Sequence, residues 1–347
     1  MLSVTWPQVL AWRMRRQFLA GSDADTAVAV ARRLGGVQAQ VASAAELAVA
    51  LRGASPAAPA LADGSLVKTW AMRGTLHLLP SAEVGAYLAV CARVRNWEKP
   101  SWQRTFGATP ADLEAIAAAA ADALAGGAVL TREELTAAIV ERTGSEHLAE
   151  VLGSGWGTLL KPLAWWGVLC YGPPRGTRVT FTAPVGVSAP PVDEAGPLVV
   201  RAFLGAHGPG TPATFDQWLT RGNLRKREVA DWFDGLEDVS VDGVPMKVRP
   251  GDAAEIASGP PAPAVRLLGP FDQYVLGAGT SAGYLVPAEH RAAVSRAAGW
   301  ISAVVLHEGR VAGVWEAKDG DVAVTTFTDV PADPLGTEVD RVRALLT

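Results

Sequence analysis

Twice in this chain a group of short helical patterns runs directly into two strand patterns joined by a turn. That repeat narrows the possible folds more than any other feature. In the first group, TREELTAAIVERTG opens with Thr131 and Glu134 three residues apart, the spacing of a capping box. GWGTLLKPLAWWGVLCYGPPRGTRVTFT then supplies an apolar helix, a strand at VLCYG, a turn at Pro173-Pro174-Arg175-Gly176 and a strand at RVTFT. In the second group VVRAFLGAHG, TPATFDQWLTRG and NLRKREVADWFDGL read as three short helices, followed by strand-like VSVDG and MKVR. Helices followed by a hairpin is the winged-helix arrangement, a variant of helix-turn-helix. The Pro-Pro-Arg-Gly tip would be the first wing, and the proline-rich APVGVSAPPVDEAGP separates the two units.

The flanks complete an α+β chain. Residues 5–20 and 24–34 read as amphipathic helices, the second stopped by Gly35-Gly36. Ser43 and Glu46 have capping-box spacing, which predicts a helix from Ala44. GTLHLL suits a strand, Pro80-Ser81 opens another helix, and the alanine-rich residues 108–130 read as a connecting helix. After SGPPAPA the chain turns to alternating strands in AVRLLGPFDQYVLG, ISAVVLHEG, RVAGVWEAKDG and DVAVTTF, then a closing helix in DPLGTEVDRVRALLT. The division this gives is a helical, winged-helix-like unit at residues 1–107 that carries Gln38 and Gln40, a winged helix at 108–185, a second at 195–250, and a mostly β segment with a closing helix at 262–347.

Two winged helices suggest nucleic acid, but the net charge of −4 gives no global attraction to phosphates, so contacts must come from local basic surface. Arg175 and Arg178 at the first wing, and Arg225, Lys226 and Arg227 in the second unit, are the candidates. The two cysteines, Cys91 and Cys170, fit a reducing cytosol rather than a disulfide scaffold. Arg13, Arg15 and Arg16 interrupt the apolar N-terminus, which argues against a signal peptide, and no apolar run is long enough to span a membrane. A cytoplasmic protein is expected. The histidines show no His-x-x-x-His spacing, and neither Cys-x-x-Cys, a Walker loop nor a G-x-S-x-G elbow occurs, so no metal or cofactor is expected. GAGTSAG at 277–283 lacks the lysine of a phosphate loop and reads as a turn.

Against this background LGGVQAQVASAAEL is unusual. Gln38 and Gln40 fall between two helices, in a connector that an extended backbone would span. Residues i and i+2 of an extended segment point the same way, so both carboxamides would face one space. Arg73, Thr75 and His77 bracket GTLHLL, where alternation would place all three on one strand face.

The segments GVQAQVASAAELAVALR, VKTWAMRGTLHLLP, GWGTLLKPLAWWGVL and RLLGPFDQYVLG followed by GRVAGVW together resemble the AlkZ-like winged-helix DNA glycosylases, a group that includes the YcaQ branch, from about residue 5 to 330. That resemblance implies a C-shaped assembly of tandem winged helices around duplex DNA. It also implies a catalytic Gln-apolar-Gln motif, matched by Gln38-Ala39-Gln40, that holds water for attack at the sugar C1′. The implied substrates are N7-alkylated purines, including bulky adducts and interstrand crosslinks, handled by a monomer that leaves an abasic site. Arg73, Thr75 and His77 become candidates for lining the DNA channel. Many relatives carry an Asp-Arg-Ser group after the FDxYLLG-like segment, where this chain has Ala278, Gly279, Thr280, Ser281 and Ala282, a change that points to altered DNA grip or lesion preference. Tandem winged helices also fit a non-catalytic regulator or lesion sensor, or a resistance protein that shields its host from one genotoxin.

Overall fold

The computed structural model describes residues 1–21, 23–154, 157–318 and 321–346. Gly155 and Trp156 of GWGTLLKPLAWWGVL, and Asp319 and Gly320 of RVAGVWEAKDG, lie outside the described residues. The chain is α+β and divides into two compact units. One comprises Met1–Ala57, Val199–Trp218 and Arg225–Thr347; the other comprises Ala58–Leu198 and Leu219–Leu224.

The core of the first unit is an antiparallel sheet with neighbours in the order Val265–Leu268, Ala303–His307, Arg310–Lys318, Asp321–Thr326. Successive residues of a strand face opposite ways, and here both faces are apolar. Val265, Leu267, Val305 and Trp315 pack with Val342 of the closing helix Ala332–Leu346. Leu268, Val304, Leu306 and Val311 pack with Leu10, Met14 and Tyr274. The expected strand in AVRLLGPFDQYVLG stops at Leu268, and FDQYVLG is instead a helix, Gln273–Ala278. Asp272 caps it by accepting from Tyr274 N at 2.9 Å, a local signal that outweighs the apolar run.

The same unit holds a three-stranded sheet in which Leu2–Val4 runs parallel to Glu237–Val241, which pairs antiparallel with Val244–Val248. Asp242 and Gly243 turn that hairpin with φ of 46° and 86°, the two positive angles an Asp-Gly hairpin turn requires. Val192–His207, Pro212–Thr220 and Lys226–Asp231 precede it, giving three helices then a hairpin in the expected order.

In the second unit neighbouring strands run Leu76–Pro80, Leu66–Trp70, Cys170–Tyr171, Thr180–Thr182, Leu130–Thr131. Helices Pro110–Leu124, Arg132–Thr143 and Leu160–Trp165 bury Leu113, Ile116, Leu135, Ile139 and Leu163 in one cluster. The Thr131–Glu134 capping box forms as expected. Thr131 Oγ1 accepts from Glu134 N at 3.2 Å, and Glu134 Oε2 accepts from Thr131 N at 2.8 Å. Both strands of the following hairpin are shorter than their patterns, at Cys170–Tyr171 and Thr180–Thr182.

Three local expectations fail. The first helix ends at Arg16 rather than residue 20, and Phe18 then takes a φ of 56°. The second begins at Ala27, capped by Thr26, which accepts from Ala29 N. The Ser43–Glu46 box does not form: the helix is Ala42–Ala50 with Val41 before it, and Glu46 accepts instead from Ala57 N at 3.0 Å. The shift to Ala42 shortens the glutamine connector without moving either glutamine into a helix.

Candidate active site

Helix Ala27–Leu34 ends in a left-handed turn that glycine makes at little cost. Gly35 has φ 66° and Gly36 φ 105°, and Gly36 N reaches back to Ala31 O at 2.8 Å. Val37 and Gln38 are then extended, and the chain bends at Gln40 and Val41 into the next helix. Gln38 is only 8 % exposed, and its Oε1 is buried without a hydrogen-bond donor among the described residues. Gln40 is exposed. The connector therefore offers one buried amide and one exposed amide, two residues apart.

What holds the connector is a buried polar network that local sequence patterns do not reveal. His207 donates from Nε2 to Leu34 O at 3.1 Å, at the end of the helix before the glutamines. A carbonyl only accepts, so the Nε2 proton is fixed and Nδ1 is left as an acceptor. Gln17 Nε2 lies 3.4 Å from that Nδ1 and donates to Ala206 O at 2.8 Å. Gly277 must be a glycine because a Cβ there would sit 2.0 Å from His207 Nδ1. Arg52 donates to Gln17 O at 2.9 Å, to Ala48 O at 2.8 Å, and through two parallel bonds to Asp272 at 2.8 and 2.9 Å. Both helices that flank the connector are thus tied to one network. Arg52 ends the quoted GVQAQVASAAELAVALR run and Asp272 lies inside FDQYVLG, but their separation of 220 residues leaves no local pattern to find.

The second unit places the other candidates. The strand after Arg73 starts only at Leu76, so of the three expected on one strand face only His77 lies in the strand, and Arg73 and Thr75 precede it. It sits in the turn Met72–Gly74 with φ 56°, a left-handed conformation that costs a non-glycine residue about 1 kcal/mol. The turn closes between Ala71 N and Thr75 O at 3.0 Å, and Thr75 Oγ1 donates to Met72 O at 3.1 Å. His77 has no exposed surface, stands opposite Thr69 in the strand pair, and is bonded through Nδ1 to Thr75 O at 3.0 Å. In this conformation its ring touches no solvent, so a part in DNA contact would have to pass through its neighbours.

Burial, then the Arg73 charge, pushes the His77 pKa down to about 3, against a smaller raising effect of the Thr75 bond. An unfolded histidine takes up its proton below about pH 6.5. Folded His77 does not, so stability drains away as pH falls from about 6.5 toward about 3. His77→Gln should flatten that slope by a few kcal/mol across this range, read from urea unfolding midpoints at stepped pH. An unchanged slope would mean that His77 is not what makes the fold acid-sensitive.

At the hairpin tip, Arg175 and Arg178 exchange backbone hydrogen bonds at 3.0 and 3.2 Å. Both arginines are exposed, and Arg175 Nη1 is paired with Glu134, the capping-box glutamate, at 2.8 Å. Arg225, Lys226 and Arg227 are all exposed at the start of helix Lys226–Asp231. The candidates therefore fall in two groups: Gln38, Gln40, Arg225, Lys226 and Arg227 in the first unit, and Arg73, Thr75, His77, Arg175 and Arg178 in the second. No helix among the described residues is long and apolar enough to cross a membrane.

Comparison with known proteins bears on this arrangement as a whole. The family model described as "DNA glycosylase AlkZ-like" matches residues 31–346. The chain is 48 % identical to the interstrand DNA cross-link repair glycosylase of Streptomyces sahachiroi over 348 aligned residues, covering 96 % of this chain and 94 % of that protein. The solved structure of the S. sahachiroi DNA glycosylase AlkZ superposes with a TM-score of 0.94 at 47 % identity, covering 99 % of this chain and 97 % of that one.

Proposed function

This chain belongs to the AlkZ-like family of DNA glycosylases, and from that membership we propose that it excises N7-alkylated purines from duplex DNA, with Gln38 and Gln40 directing water onto the sugar C1′. The observation that carries the reading is the enclosed Gln38 amide, whose buried Oε1 meets no donor among the described residues, two residues from an exposed partner amide. A carboxamide oxygen can accept a hydrogen bond from water and so aim the water's lone pair.

Neutral amides suit this leaving group. Alkylation at N7 leaves the purine positively charged, so breaking the bond between N9 and C1′ releases a neutral base and needs no acid. The bonding electrons leave with the base, and the sugar becomes an oxocarbenium ion. Water adds to C1′, loses a proton to solvent, and completes an abasic site with the strand intact. The protein has only to orient that water and stabilise the cationic sugar. Glutamine does both through a carbonyl dipole, without the basicity of a carboxylate.

Residues 108–185 and 195–250 serve in this reading as winged helices that bind the duplex. Arg178 at the first wing and Arg225, Lys226 and Arg227 contribute exposed charge for phosphates. The relative's named action on interstrand crosslinks extends the proposed range to bulky and crosslinked purines. Ala278 closes a helix and Gly279–Ala282 forms an uncharged turn, so grip there would come from elsewhere in the chain.

A panel of duplexes, each with one defined lesion, tests the proposal. N7-methylguanine should be released about a hundredfold or more faster than uracil, since a neutral base would still need the protonation these amides cannot supply. Comparable rates for both lesions would rule out this mechanism. Tight lesion binding with no base released would favour the sensor reading instead.

A further inference from the structure

Wholly within the second unit lies a recess of about 560 Å³ that the glutamine mechanism does not use. Its wall includes Arg73, Lys99, Lys161 and Arg221, and none of the described lining residues is an aspartate or glutamate. We propose that this four-cation recess is a phosphate-binding site that grips the backbone of the DNA strand and holds the duplex in register. The proposal rests on the family's action on DNA, and it deepens that reading by assigning the anchor.

Three observations converge on an anionic ligand. First, the cations are gathered rather than dispersed. A Cβ built on Gly74 would lie 3.6 Å from Lys161 Nζ, which places the ammonium against the turn that carries Arg73. Arg221 is close enough for its charge to lower the pKa of both Arg73 and Lys161, after burial as the larger cause in each, with Arg73 reaching about 10. At about 10 Arg73 stays protonated at neutral pH, beside the like charge of Arg221.

Second, the backbone is strained at the two arginines. Arg73 has φ 56° and Arg221 φ 65°, the left-handed region that side-chain-bearing residues avoid. The Arg221 turn is held by Asn223, whose N donates to Thr220 Oγ1 at 3.0 Å and whose Nδ2 donates to Thr220 O at 2.7 Å. Strain retained under two like charges is unfavourable for stability alone. It is useful where both guanidiniums must be aimed at a common ligand.

Third, the walls between the cations are aromatic: Trp97 and Trp165 have ring centroids 6.0 Å apart, and Trp102 and Phe106 4.9 Å. An apolar wall lowers the local dielectric and strengthens each phosphate contact. Arg73 and Lys161 are half-buried in this wall and Lys99 and Arg221 are exposed at it, whereas Arg178, Arg225, Lys226 and Arg227 do not line it.

The test uses the full-length protein and undamaged duplex, so it needs no base release and can fail separately from the lesion assignment. Removing one cation from a phosphate should reduce the slope of log affinity against log salt by about 0.9. Arg221→Gln and Lys161→Gln should each show that reduction with an affinity loss of about tenfold at low salt, and the double variant should show about twice the slope change. Lys161→Arg should restore the slope, and Arg95→Gln, which removes a cation engaged with Glu98 beside the recess, should leave it unchanged. A misfolded variant would lower the active fraction without changing the slope. Unchanged slopes in folded Arg221→Gln and Lys161→Gln would overturn the proposal. So would variants that no longer bind inorganic pyrophosphate yet bind duplex normally, which would assign the recess to a small anion.

Discussion

Replacing Gln38 and Gln40 together by alanine is expected to reduce release of N7-methylguanine by about a thousandfold, while duplex affinity changes by less than about threefold. The size follows from the work assigned to the amides. One preorganised polar group aimed at a developing charge contributes roughly a hundred- to a thousandfold, and correct placement of a water replaces a random encounter. Part of that acceleration survives, because the charged purine departs unaided at some rate. The two positions should not contribute equally. Gln38 is enclosed and therefore preorganised, so Gln38→Ala should carry most of the loss. Gln40 is exposed to water rather than enclosed, so Gln40→Ala should cost less, about tenfold. Single-turnover release from a defined duplex, measured beside binding to the same duplex, separates the two effects. A double variant that retains more than about a tenth of the rate would show that these amides do not place the water.

The connector itself is legible in the sequence. Gly35-Gly36 marks a helix stop, and the glutamines do fall outside both helices. The start of the next helix is not legible, because Ser43 and Glu46 have the right spacing but Glu46 has a better use, closing onto Ala57 N. Arg73 stands out in the sequence as a candidate, yet the strand expected there is a left-handed turn that leaves no mark in the alternation of TLHLL. FDQYVLG carries a cap signal in Asp272 that its apolar run conceals, as short apolar runs often do. The largest gaps have one cause: periodicity reports only near neighbours. Gln17 meets His207 across 190 residues and Arg52 meets Asp272 across 220, while Arg73, Lys99, Lys161 and Arg221 line one recess from positions spread over the second unit.

That long-range network carries the second large expectation, that Asp272→Ala destabilises the first unit by about 3–5 kcal/mol. Arg52 and Asp272 have fully buried side chains joined by two parallel bonds, so removing the carboxylate strands a desolvated guanidinium. The alanine also loses the cap on Tyr274 N, worth about 1 kcal/mol. Replacing both partners by apolar residues of similar volume should cost much less, because no charge is then left unpaired. Unfolding followed by hydrogen exchange at the Ala42–Ala50 amides reads the effect in the first unit directly. Stability is not the whole consequence. Arg52 also holds Ala48 O and Gln17 O, and Gln17 steadies the histidine that holds Leu34 O, so slackening this chain should loosen both anchors of the glutamine connector. Asp272→Asn tests that step: it keeps an oxygen for the cap and removes the charge. At a temperature where the variant is folded, its single-turnover excision should fall about tenfold with duplex affinity retained, a loss in placing the reacting groups rather than in binding. A folded Asp272→Asn protein with full excision would make the network a prop for the fold alone.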